Sequence, residues 1–124
     1  MKTKALLDDN LGMLHHFFSV LLFQEPRGVW VAQGLEHDIA AHGPTVEAAK
    51  VAFERTILGY FQLAAKHHRD PIASLPGRAP DVFWQVWYHV RERETATLAV
   101  SDPSIPPAYV VSAITTETIP TATQ

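Results

Sequence analysis

HDIAAHGPTVEAAKVAFERTI, residues His37 to Ile57, decides how this chain folds. Its period changes halfway. From His37 to His42, Ile39 and Ala41 alternate with small or polar neighbours, which is the two-residue period of a short strand. Gly43-Pro44 closes that run and disfavours helix before Thr45. Beyond it, Val46, Ala49, Phe53, Ile57, Tyr60, Phe61 and Ala64 recur at spacings of three, four and one, the apolar face of a helix reaching about Lys66. Thr45 is the expected N-cap, because its hydroxyl can accept from a free amide of the first turn. Glu47 places a negative charge, and Lys66 to Arg69 positive character, at the ends the helix dipole favours. The joint reads as a folding device in which Gly43 relaxes the backbone and Thr45 starts the helix.

Upstream, FFSVLLFQ (Phe17 to Gln24) is rich in strand formers and stops at Glu25-Pro26-Arg27-Gly28, a turn signal. VWVAQ (Val29 to Gln33) follows, so the two runs predict an antiparallel hairpin. Downstream, DPIASLPGRAP (Asp70 to Pro80) reads as a loop, and Asp81 as the cap of a second helix, VFWQVWYHVRERE. Phe83, Val86, Trp87 and Val90 share a face at helical spacing, whereas a strand would align Val82, Trp84, Val86, Tyr88 and Val90. The Pro-Asp start and the Arg91 to Glu94 end favour the helix. Ala96 to Val100 and Tyr109 to Ile114 are further candidate strands. Residues 1–14 suggest a short helix or ordered tail, and the last ten a frayed end.

The expected fold is α+β: a small antiparallel sheet in a β-β-β-α core, one packing helix over one face, and an aromatic helix or strand as a C-terminal extension. The expected organisation is an N-terminal segment (1–16), the α+β domain with its extension (17–100) and a C-terminal extension (101–124). The 124 residues suit one domain, and 47% hydrophobic against 19% charged residues is globular composition. The aromatic segment Val82 to Val90 carries more large apolar side chains than one small sheet covers easily. Together with open sheet edges, which invite pairing with another chain, it predicts a homo-oligomer.

The net charge of -3 lacks the basic stripe of a stand-alone nucleic-acid binder and suits a basic partner. There are no cysteines, which excludes disulfides, thiolate metal sites and cysteine nucleophiles. Asp8, Asp9 and Asn10, then His15 and His16, interrupt any N-terminal apolar run, so neither a signal peptide nor a membrane span is expected and the location is read as cytoplasmic.

With these residues in view, VWVAQGLEHDIAAHGPTVEAAKVAFERTI (Val29 to Ile57) resembles the HicB-like antitoxin domain. In that family an aromatic hairpin strand leads through a short loop to a strand ending in Gly and Thr, then to a helix opening on acidic and small residues. Here Val29 to Ala32, Gly34-Leu35-Glu36, Asp38 to His42, and Gly43, Thr45, Glu47 and Ala48-Ala49 stand at those places, over roughly residues 17–66. The resemblance implies a ββ-β-α core completed by a strand after the helix, similar to a partial ribonuclease-H-like fold without its catalytic acids. It also implies binding of a small basic toxin ribonuclease. The loop carries Gly34 where the family has proline, and the segment after Pro80 shows no basic helix pair, so direct DNA binding is not expected.

Catalytic signatures are absent from the sequence. The adjacent pairs His15-His16 and His67-His68 lack the i, i+4 spacing that brings two imidazoles to one metal, and His37 and His42 lie too far apart along a strand. No metal, cofactor or catalytic residue is therefore expected. Glu36 and Asp38 share a strand face and are the carboxylates an alternative reading would use, that of a small-ligand-binding or nucleic-acid-processing protein. The serines lack a nucleophile-elbow context. Trp30, Trp84 and Trp87, with few basic neighbours, suit core or interface better than base stacking. The expected partner-binding residues are Trp30, Glu36, Asp38 and Glu47.

Overall fold

The computed structural model describes residues 16–98, 108–117 and 119. Five strands and two helices follow in the order β1 (His16–Gln24), β2 (Trp30–Gly34), β3 (Ala40–Gly43), α1 (Val46–Lys66), α2 (Asp81–His89), β4 (Arg93–Leu98) and β5 (Ala108–Ile114). They form an α+β structure with one sheet, ordered β3-β2-β1-β5-β4.

The hairpin is present as expected: β1 pairs antiparallel with β2, from Val20 opposite Gly34 to Gln24 opposite Trp30. In its turn, the Glu25 amide donates to the Val29 carbonyl and Gly28 takes φ 98°, a conformation open to glycine at no steric cost. β2 pairs antiparallel with β3 from Trp30 opposite Gly43 to Gln33 opposite Ala40. The third strand begins later than expected because residues 35–38 bind another segment: the Ala79 amide donates to the Leu35 carbonyl, and the Asp38 amide to Gly77.

Two expectations are corrected. The sheet is mixed rather than antiparallel, since β5 runs parallel to β1, with Phe18 opposite Val110 and Leu22 opposite Ile114. It also carries a helix on each face rather than one helix on one face. Phe18, Val20 and Leu22 of β1 pack with Phe53, Ile57 and Phe61 of α1. Leu21 and Phe23 point the other way, to Phe83, Trp84 and Trp87 of α2. An unbroken apolar run is what a central strand covered on both faces requires. The aromatic segment is thus the second layer. β5, from within the 101–124 segment, lies between β1 and β4 in the sheet. The expectations for residues 1–14, for Ala99 and Val100 and for most of the chain end fall outside the described residues; of the last ten residues, Thr115 and Ile119 are among those described and both are buried.

Thr45 caps α1 by accepting from the Ala48 amide at 3.0 Å. At the other end His68 takes φ 55°, its amide donates to Ala65 and that of Arg69 to Ala64, closing the helix in the Schellman pattern with histidine where glycine is usual. In α2, Asp81 does not cap. Pro80 precedes the helix with no side-chain cap, and Asp81 accepts instead from Gln85 Nε2 within the first turn. The expected helical end at Arg91 to Glu94 belongs partly to β4, and Arg93 Nη2 donates at 2.6 Å to the Trp87 carbonyl, which also accepts from the Val90 amide. The Arg78 and Arg93 guanidiniums lie over the Trp84 and Trp87 rings at 4.2 and 4.4 Å, so neither indole is an open stacking platform.

Candidate functional site

The four residues expected to meet a partner fall in two groups at opposite ends of β2. Trp30 lies opposite Gly43, half-buried against the α1-side core. Glu47 stands in the first turn of α1 with its side chain 82% exposed, 3.8 Å from Lys50. Lys50 also pairs with Glu94 of β4, whose hydrogen bond pushes the ammonium above its usual 10.5. At the far end of β2, the turn to β3 holds Glu36 and Asp38.

Those two carboxylates serve different donors. Glu36 Oε1 accepts from the Ser19 amide at 2.7 Å and Oε2 from the Ser19 hydroxyl at 2.6 Å. The Leu35 amide donates to the Ser19 carbonyl, so beyond that bond a side chain replaces the backbone partner that β1 loses where β2 ends. Asp38 Oδ1 accepts from Nε2 of buried Gln33 at 2.8 Å, and the same nitrogen donates to the Gly34 carbonyl. Glu36 and Asp38 thus fix a turn, whereas a two-metal nuclease needs its carboxylates converging on one ion.

Beside this turn is a pair the sequence reading missed. His16 Nε2 lies 3.1 Å from His37 Nε2, and His37 Nδ1 lies 2.7 Å from the Pro76 carbonyl oxygen. The His16 ring meets Phe18 edge-on, with centroids 4.8 Å apart. Burial, and secondarily the neighbouring His37, hold His16 below its usual 6.5. The pair joins the start of β1 to the β2–β3 turn and to the loop before α2. Extending the β1–β2 register by four residues sets His16 level with Asp38, so the proximity was implicit in the hairpin. Sequence spacing alone hides it.

Among the described residues no group of three or more His, Cys, Asp or Glu side chains could hold a metal ion, and no helix is long and apolar enough to cross a membrane. A shallow cleft between α1 and the β4–β5 side is lined by Val20, Lys50, Phe53, Glu94, Val110 and Ser112. β4 is an edge strand, and each residue from Arg93 to Thr97 is exposed. No family model, curated protein or solved structure matches the chain.

Proposed function

We propose that this chain is a HicB-like, antitoxin-type interaction protein that acts in the cytoplasm without turnover of its own. In this reading it oligomerises and covers a small basic protein partner such as a toxin ribonuclease. The observation that carries the reading is the order of the sheet. Three antiparallel strands are followed by a helix, and a later strand returns parallel to β1. That order supports the ββ-β-α core, completed by a later strand, which the resemblance of residues 17–66 implies. β4 supports the oligomer, because an exposed edge strand offers free backbone groups to a second chain. The engagement of Glu36 by Ser19, and of Asp38 by Gln33, suits residues that hold a turn. It lends nothing to the nucleic-acid-processing alternative.

The test is co-expression with the basic product of a neighbouring small gene, followed by pull-down at low and high salt. Capture that weakens with salt is the expected outcome, since long-range attraction between charged surfaces is screened. Light scattering on the purified chain should give at least a dimer. A ribonuclease or phosphodiesterase activity of the purified chain that is abolished by Glu36→Gln overturns the proposal.

A further inference from the structure

His16 and His37 turn their Nε2 atoms toward each other at 3.1 Å. Two imidazole nitrogens bound to one tetrahedral zinc ion, each at about 2.0–2.1 Å, stand about 3.3 Å apart. The nitrogens are thus about 0.2 Å short of that separation, and each ring must also turn so that its lone pair meets the ion rather than the other nitrogen.

The other nitrogen of His37 supports the same geometry. A carbonyl oxygen only accepts, so the 2.7 Å contact with Pro76 places the proton of His37 on Nδ1 and leaves Nε2 with its lone pair. An imidazole whose far N–H donates to a backbone carbonyl is the usual support of a metal-binding histidine. With His37 Nε2 an acceptor, His16 Nε2 must carry the hydrogen in the pair as it stands. Metal binding would move that hydrogen to His16 Nδ1, a change of tautomer and not of charge. Both rings are only half-buried, which leaves water access to the remaining coordination positions.

We propose that His16 Nε2 and His37 Nε2 together bind one divalent zinc ion, as a two-histidine site whose coordination is completed by water. Imidazole ligands without thiolates suit zinc and its neighbours in the first transition row, and disfavour magnesium and calcium. The ion would clip β1 to the β2–β3 turn and, through Pro76, to the loop before α2. Because it binds the folded chain, it would raise the unfolding temperature by mass action, and the rise would continue with free zinc beyond saturation.

The experiment is titration of the full chain with zinc chloride by calorimetry, with unfolding temperature and imidazole nitrogen resonances followed in parallel. One saturating equivalent is expected, together with a rise in unfolding temperature that magnesium does not reproduce. Binding should weaken at least about tenfold in His16→Asn and in His37→Asn, as loss of even a supporting group at such sites costs about 10–100-fold. It should be unchanged in the double variant His67→Asn, His68→Asn. In the wild type, His16 should pass from the Nε2–H to the Nδ1–H tautomer on zinc addition. The proposal is overturned by no saturable binding at millimolar zinc, by wild-type affinity in either single variant, or by loss confined to the His67, His68 variant. Should a single variant not fold, wild-type His16 and His37 resonances that ignore zinc overturn it equally.

Discussion

Replacing Gly43 with alanine should destabilise the chain by about 2–4 kcal/mol, the sum of overpacking, about 1–3, and partial loss of a helix cap, about 1. Gly43 ends β3 opposite Trp30, and what it supplies there is room rather than an unusual backbone angle. A Cβ at Gly43 falls 2.6 Å from the Ala49 amide nitrogen and 2.7 Å from the carbonyl carbon and Cβ of Ala48, where ordinary contact begins at 3.4 Å. These atoms belong to the first turn of α1 and cannot rotate aside as a side-chain tip would. The helix must back away from β3 by roughly 1 Å, which opens the close packing around fully buried Ala49 and strains the Thr45 cap. Gly59→Ala is the matched control. Gly59 lies exposed in the middle of α1, nothing stands within 4 Å of its added Cβ, and the change should stabilise by about 0.5–1 kcal/mol. Urea unfolding followed by far-ultraviolet circular dichroism gives both values, provided the slope m is unchanged. A Gly43→Ala midpoint at the wild-type value would refute the seating of α1 on β3, and with it the reading of the joint as a close-packed corner.

Three further outcomes are expected. Phe53→Ala should cost about 3–5 kcal/mol in the same assay, because the ring is 1% exposed and meets Phe18 edge-on at 6.3 Å; a neutral result removes α1 from the core. His68→Gly should stabilise by about 0.5–1 kcal/mol, since histidine at φ 55° pays the steric cost that glycine escapes; a loss of stability would show that the side chain itself matters. His16, held below 6.5 when folded, binds fewer protons in the folded than in the unfolded chain over the acid range. Its contribution is complete above about pH 6.5 and is lost as pH falls through the lowered folded value, so thermal midpoints should drop on acidification, less steeply in His16→Asn, and midpoints that rise instead contradict the shift.

The joint and the hairpin were legible because their signals are local. Proline, glycine, a capping threonine and a four-residue apolar period each act within a few residues, and the structure sets α1 at Val46–Lys66 behind the Thr45 cap. The parallel pairing of β1 with β5 was not legible, because it joins Phe18 to Val110 across the rest of the chain and no residue along the way encodes it. One clue to it lay in plain sight. FFSVLLFQ is apolar at both odd and even positions, and only coverage on two faces explains that. The same fact accounts for the aromatic excess of Val82 to Val90, since Phe83, Trp84 and Trp87 bury the face that Leu21 and Phe23 present. That excess therefore no longer speaks for an oligomer, and the exposed edge of β4 takes its place.

For the site, charge misled where backbone accounting would have served. Glu36, His37 and Asp38 look like a solvated turn, yet each is tied down: Glu36 to Ser19, His37 to His16 and Pro76, Asp38 to Gln33 and through its amide to Gly77. A chain leaving β2 after only five residues strands the polar groups of a longer β1, and the nearest side chains must satisfy them. A turn fixed in this way makes a poor flexible grip and a good rigid one. A partner that drew Glu36 away from Ser19 would strand a half-buried amide and hydroxyl, at a cost of about 1–3 kcal/mol for each group left unsatisfied. Among the described residues Glu47 carries no such tie beyond its long contact with Lys50. In the proposed reading, charge steering toward a basic partner falls to Glu47 and to the Asp38 oxygen that takes no bond from Gln33 among the described residues. Glu47→Gln should then slow association and flatten its salt dependence, at a stability cost of about 0.3–1 kcal/mol as the first turn of α1 loses its negative charge. Glu36→Ala should lower stability first, and an equal loss of association rate in the two variants at unchanged fold would show that Glu36, too, faces the partner.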